Sequence, residues 1–156
     1  MGSAIAAALI LAAGVGLAVR IQTARVTNAF FTAAERDHRL EIVERQPRRW
    51  LTETVAMERL AAREGIAASQ LSALAPPDYQ MVQAKICRLN GQMFLHLVLA
   101  HGVKRVSVFL RQSGSRYSLI RGADAAGFGD GQFAALVVAD DSATAVDIAR
   151  SVSLVI

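Results

Sequence analysis

Residues 84–110 read AKICRLNGQMFLHLVLAHGVKRVSVFL. Asn90-Gly91 lies between two β-rich runs. A type I′ hairpin turn needs φ > 0 at both central residues, which Asn and Gly tolerate best. A two-residue turn there sets Leu89 opposite Gln92, and the pairs Arg88/Met93, Cys87/Phe94, Ile86/Leu95, Lys85/His96, Ala84/Leu97 and Val82/Leu99 follow. Side chains alternate between the faces of a strand, so Val82, Ala84, Ile86, Leu95, Leu97 and Leu99 share one wholly apolar face, the core side. A slip of one residue would turn that set into water. The other face then carries Lys85, Cys87, Phe94, His96 and Val98. A second turn at His101-Gly102 adds a third strand, pairing Ala100 with Val103, Leu97 with Val106, Leu95 with Val108, His96 with Ser107 and Phe94 with Phe109. Cys87 and His96 become diagonal neighbours, about 7–8 Å apart at the backbone.

Around this meander the chain alternates helical and extended segments. Helical character is predicted through residues 21–35, with Phe30 and Phe31 as apolar anchors. Pro47 stops or redirects the chain, because its ring nitrogen has no hydrogen to donate. Thr52 is a plausible N-cap for a helix over 53–64, and Gly65 suits the position just past its end. Ala75-Pro76-Pro77-Asp78 marks the passage from the helical half to the sheet half. Residues 116–121 read as a fourth strand. Gly127-Phe128-Gly129-Asp130-Gly131 lacks the Lys-Ser/Thr and the βαβ setting of a phosphate loop. Asp130-Gly131 reads instead as a hairpin turn into a strand over 132–139. Asp141 or Ser142 then caps a last helix, with Ala145, Ile148, Ala149 and Val152 as its apolar stripe. The predicted class is α+β: an N-terminal transmembrane helix, then an antiparallel sheet of about five strands with helices packed on one face.

At 156 residues there is room for one modest domain. Ser3–Val19 is a run of 17 uncharged, mostly apolar residues ended by Arg20. As a helix it would rise about 25 Å, the short end of a membrane span. The expected organisation is therefore an anchor (or signal) over 1–20, a juxtamembrane helical linker over 21–50 and an α+β domain over 51–156. Arg20 and Arg25 flank only the C-terminal side of the run, and the positive-inside rule would hold that side in the cytoplasm; positive charge upstream of Met1 would reverse this. The net charge of +4 is spread along the chain. Arg48-Arg49-Trp50 is its densest basic cluster, read as a solvated turn after Pro47 with Trp50 packing inward. Without a basic stripe interleaved with aromatics, nucleic acid is not an expected partner. A membrane is, and a protein partner is possible.

The chain has one cysteine and three histidines. Cys87, His96 and His38 are soft and borderline donors that would suit copper or zinc, and Asp37 could orient a neighbouring imidazole. The plain alternative is that Cys87 is a small hydrophobe under Phe94, that His96 is a half-buried strand residue and that His101 is solvated at its turn. A Cys87/His96 nucleophile pair oriented by Asp37 or Ser107 can be drawn, but no oxyanion hole or local signature accompanies it. No catalytic role is expected, and no cofactor is named by any motif.

Asp37-His38-Arg39, the run Ile86–Val98 and Val106-Ser107-Val108-Phe109 together resemble the extracytoplasmic part of bacterial transmembrane anti-sigma factors. In that group an Asp-His element precedes a Cys-x-x-x-Gly-x-x-Phe-x-His-x-Val strand pair and a Val-Ser-hydrophobic strand. Gly127–Asp140 is similar to the group's closing hairpin, and the likeness covers roughly residues 1–150. It implies a single-pass inner-membrane regulator of transcription with a periplasmic C-terminal domain, and it singles out His38, Cys87 and His96. Two departures stand out. Glu41-Ile42-Val43 replaces the stretch where the group often has a second cysteine, which weakens the case for a thiol-pair redox switch. The group's cytoplasmic zinc-binding, sigma-factor-binding region would precede the anchor, leaving three readings open: a fragment, a separate membrane-anchored relative, or a protein outside the group. The expectation is a membrane-anchored sensor of a metal or oxidant acting through Cys87 and His96; the alternative is a membrane-tethered interaction domain without a ligand site.

Overall fold

The computed structural model describes residues 28–156. The expected anchor or signal, with its orientation, lies outside the described residues. Among the described residues no helix is long and apolar enough to cross a membrane. Helix α1 occupies residues 28–38 and runs into a π-helical turn, Arg39–Val43. Two short helices follow, α2 (Thr54–Arg63) and α3 (Ala68–Ala73). Six strands come next: β1 (Gln80–Leu89), β2 (Gln92–His101), β3 (Lys104–Gln112), β4 (Arg116–Arg121), β5 (Ala125–Asp130) and β6 (Phe133–Val138). Helix α4 (Ser142–Ser153) closes the chain. The strands form one sheet in the order β1-β2-β3-β6-β5-β4, every neighbouring pair antiparallel.

The first hairpin forms in the expected register from Leu89/Gln92 to Ala84/Leu97, with φ of 46° at Asn90 and 81° at Gly91. A bulge between Met81 and Gln83 then sets Met81, not Val82, against Leu99. The second hairpin turns one residue later than expected, at Gly102-Val103, so that His101 pairs with Lys104 and Leu97 with Val108. His96 accordingly faces Phe109, and Ser107 faces Val98. The cause is local. A turn centred on His101-Gly102 would put His101 at positive φ, whereas the observed turn places only Gly102 there (φ 57°). The sum of paired residue numbers rises by two, so every side chain keeps its expected face.

Two differences in architecture follow from the apolar pattern. The sheet has a sixth strand, because residues 125–130, not assigned to a strand from the sequence, pair with both β4 and β6. Helices also cover both faces, not one. Leu95, Leu97, Leu99, Val106, Val108 and Leu110 face α2, α3 and α4, which contribute Met57, Ala61, Leu71, Ala145, Ile148 and Val152. On the opposite face Cys87, Leu89, Phe94, Phe109, Leu136 and Val138 pack with Phe31 and Ala34 of α1. Phe94 and Val98 made that second face apolar as well, the mark of a strand buried on both sides. Residues 28–50, expected as a linker, thus supply one wall of the core. Asp141 caps α4 as expected, its carboxylate accepting from the Thr144 N–H at 2.8 Å. At α2 the cap position is Glu53 rather than Thr52, without a side-chain bond.

Gly127 on β5 lies against Phe31 of α1. A Cβ there would lie 2.9 Å from the Ala135 carbonyl oxygen and 3.1 Å from Phe31 Cε1. Gly127→Ala is expected to destabilise the protein by about 1–3 kcal/mol through overpacking. Gly114→Ala, which meets nothing within 4 Å, should stay within about 0.5 kcal/mol. Urea denaturation midpoints of the two variants check the contrast.

Candidate functional site

The face of β1 and β2 that carries Cys87 and His96 lies beneath the last turn of α1. That turn brings Asp37 over the strands, and donor atoms of Asp37, Cys87 and His96 lie within 4.8 Å of one another. Cys87 is buried and His96 has no exposed surface. The His96 ring lies between aromatics, with the Phe109 centroid at 4.0 Å and Trp50 edge-on at 4.9 Å. Its Nε2 is 2.8 Å from Ser107 Oγ on β3, and the same hydroxyl is 2.8 Å from His38 Nδ1. The other nitrogen, His96 Nδ1, is buried with no hydrogen-bond partner.

A charged cover closes this face. Glu41 sits buried in the π-helical turn, accepts from Arg48 Nε at 2.8 Å and pairs with the Lys85 ammonium. Lys85 also lies over the Trp50 ring at 4.8 Å. Leu51 exchanges two backbone hydrogen bonds with Ala84, both 2.9 Å, which pins the segment carrying Trp50 to β1. Beside the cover is a groove of about 710 Å³ lined by His38, Arg48, Trp50, Val98 and Asp140 among others.

Burial dominates the electrostatics. It pushes the Cys87 thiol up to about 12, helped by the nearby Asp37 and Glu41 carboxylates and opposed by Lys85. Asp37 is raised by partial burial and then by Glu41. His38 is lowered by burial, with Asp140 opposing. His96 is held well below the usual imidazole range by burial, then by Lys85 and His38. The resting site therefore holds a neutral thiol and two neutral imidazoles. At pH 7 only about one part in 10⁵ of such a thiol is thiolate, so Cys87 is a poor nucleophile at rest.

The structure thus brings Cys87 and His96 together, and Asp37 joins them where sequence reasoning placed His38. His38 reaches the group only through the Ser107 hydroxyl. Trp50 packs inward as expected, while His101 is exposed beside Tyr79. Sequence reasoning missed the Glu41–Lys85–Arg48 cover. Lys85 was legible on the right face, but nothing local announces that Glu41, 44 residues away, would meet it. Comparison with protein-family models, curated proteins and solved structures finds no match to this chain.

Two outcomes follow. Glu41→Ala strands the nearly buried Lys85 charge and should cost about 3 kcal/mol. Arg48→Ala removes an exposed partner and should cost about 1 kcal/mol or less; chemical denaturation separates the two. For pH, His38 and His96 have folded pKa values below the unfolded 6.5. Below pH 6.5 the unfolded chain takes up protons that the folded chain does not. The stability these neutral histidines confer is complete above that pH and falls as pH drops, by about 1.4 kcal/mol per unit per histidine within its window. Midpoints at pH 7.5 and 5.0 should differ, and His38→Gln should shrink the difference.

Proposed function

We propose that this chain is a membrane-anchored regulatory protein of the transmembrane anti-sigma type. Its folded part lies outside the cytoplasm, and the Cys87/His96 face reads a metal ion or an oxidant. One observation carries the reading: Asp37, which meets Cys87 and His96, and His38, which reaches His96 through the Ser107 hydroxyl, stand on α1, the described element nearest in sequence to the apolar run of residues 3–19. A change at the cluster acts directly on the seating of that helix. A signal requires that the ligand favour one of two seatings over the other. A carboxylate beside the thiol and the imidazole completes a metal donor set, which favours the metal within this reading.

A second reading, a membrane-tethered interaction domain, draws on the exposed Val43 and Val103, both of which line the groove beside the cover. Val103 also provides the test of location. In cells expressing the Val103→Cys chain, a membrane-impermeant maleimide should label that cysteine without lysis, while the buried Cys87 of the parent stays unlabelled. Labelling only after lysis would place the domain in the cytoplasm and sink the extracytoplasmic reading. Deleting the gene should change a defined set of transcripts several-fold, and Asp37→Asn should alter the response; unchanged transcripts would leave the interaction domain as the better account.

A further inference from the structure

We infer that Asp37, Cys87 and His96 form a zinc(II) site, with Ser107 and His38 as the hydrogen-bonded support behind His96. The assignment rests on the proposed reading in taking the Cys87/His96 face as the input, and it names what that face takes. Two independent observations carry it. The first is the convergence of a carboxylate, a thiol and an imidazole from three different elements, with their donor atoms within 4.8 Å. The second is His96 Nδ1, a buried nitrogen with no partner on a side chain that has no exposed surface. An imidazole's two nitrogens point to opposite sides of the ring. With Nε2 bonded to Ser107 on β3, Nδ1 turns away from β3, and β1, on the other side of β2, carries Cys87.

A bound ion resolves the proton arrangement of the whole group. With the metal on Nδ1, the imidazole proton resides on Nε2 and is donated to Ser107 Oγ. The Ser107 hydroxyl then donates to His38 Nδ1, so no buried side-chain nitrogen or oxygen among the described residues is left unpaired. Metal-bound histidines regularly donate their other N–H in this way, which fixes the tautomer and the ring. The donor set selects the ion. Imidazole, thiolate and carboxylate are all zinc ligands, and a carboxylate argues against copper(I), which prefers soft donors. Zinc bond lengths of about 2.0–2.3 Å in a tetrahedron put ligand atoms about 3.3–3.8 Å apart. The cluster must therefore close by about 1 Å, and Asp37, half-buried at the end of α1, is the side chain free to move.

The charge also balances. Zinc displaces the Cys87 proton, which leaves to solvent, and forms bonds to sulfur, nitrogen and the Asp37 oxygen. The dication is then matched by one thiolate and one carboxylate. The Lys85 ammonium, facing the same pocket, is already matched by Glu41, and Arg48 remains at the exposed rim. Three protein ligands leave a fourth position for water or another donor.

The test uses the purified full chain, stripped of metal, titrated with zinc chloride against a chromophoric chelator. One equivalent per chain should bind. Cobalt(II) in place of zinc should give the near-ultraviolet charge-transfer band of a cobalt–thiolate bond. Cys87→Ser should abolish that band, and Asp37→Asn, which alters a half-exposed side chain and spares the fold, should weaken zinc binding at least tenfold. Ser107→Ala should weaken it about 10–100-fold, whereas His101→Gln should change nothing. Circular dichroism confirms that each variant folds, and the Asp37 variant decides the matter if the Cys87 variant does not. The assignment is overturned by no zinc binding, by binding indifferent to Asp37 and without the thiolate band, or by copper(I) binding where zinc does not. Failure here with an intact transcriptional response removes the metal and leaves the regulator; zinc binding with no such response does the reverse.

Discussion

The His96 imidazole has no exposed surface in the middle of a sheet covered on both faces, and much of the surrounding structure answers to that burial. A buried polar group without a partner costs about 1–3 kcal/mol, and a charged imidazole there would cost far more. Ser107 supplies a partner for one nitrogen and is itself held by His38 from α1. Phe109 and Trp50 enclose the ring. The same desolvation keeps both histidines neutral and drives the Cys87 thiol up to about 12. One nitrogen is left over, and it is the feature of the site that ordinary packing does not explain.

Helix α1 links this site to the rest of the fold. Phe31 and Ala34 bury its apolar stripe against Cys87, Phe94, Phe109 and Leu136. Gly127 lets it approach the sheet closely. Its last turn carries Asp37 and His38 over the strands, and the π-helical turn that follows drops Glu41 into the charged cover. Such turns in which the helical ladder widens are frequent at functional sites. The segment nearest the expected anchor is thus also the segment that completes the site, which is why a ligand event there is proposed to travel along α1. Arg111 lies over the rings of Phe30 and Phe94 and caps the same layer at its outer end.

Much of this was legible residue by residue. Asn90-Gly91 specified the first hairpin, because few residue pairs tolerate two positive φ angles in succession. The second hairpin slipped by one residue at Gly102, yet the faces survived, since the side-chain period of two makes a paired shift invisible to burial. Cys87 and His96 were therefore placed on the correct face by a register that was partly wrong. The sixth strand was missed because Gly127 and Gly129 weaken any strand pattern. The second helical layer was missed because one face of β2 was read as open despite Phe94 and Val98.

The sequence alone determined the local geometry of this protein: which strands turn into which, which side chains share a face, and that Cys87 and His96 are neighbours. These follow from φ preferences and from alternation, both properties of a few adjacent residues. Only the tertiary structure decided that the face closes, that Asp37 rather than His38 meets the pair, and that Ser107 bridges two histidines 58 residues apart in the chain. Those outcomes depend on where α1 lands on the sheet. That placement is set by the summed packing of Phe31, Ala34, Phe109 and Leu136, and by the room at Gly127, a collective fit that no local pattern encodes.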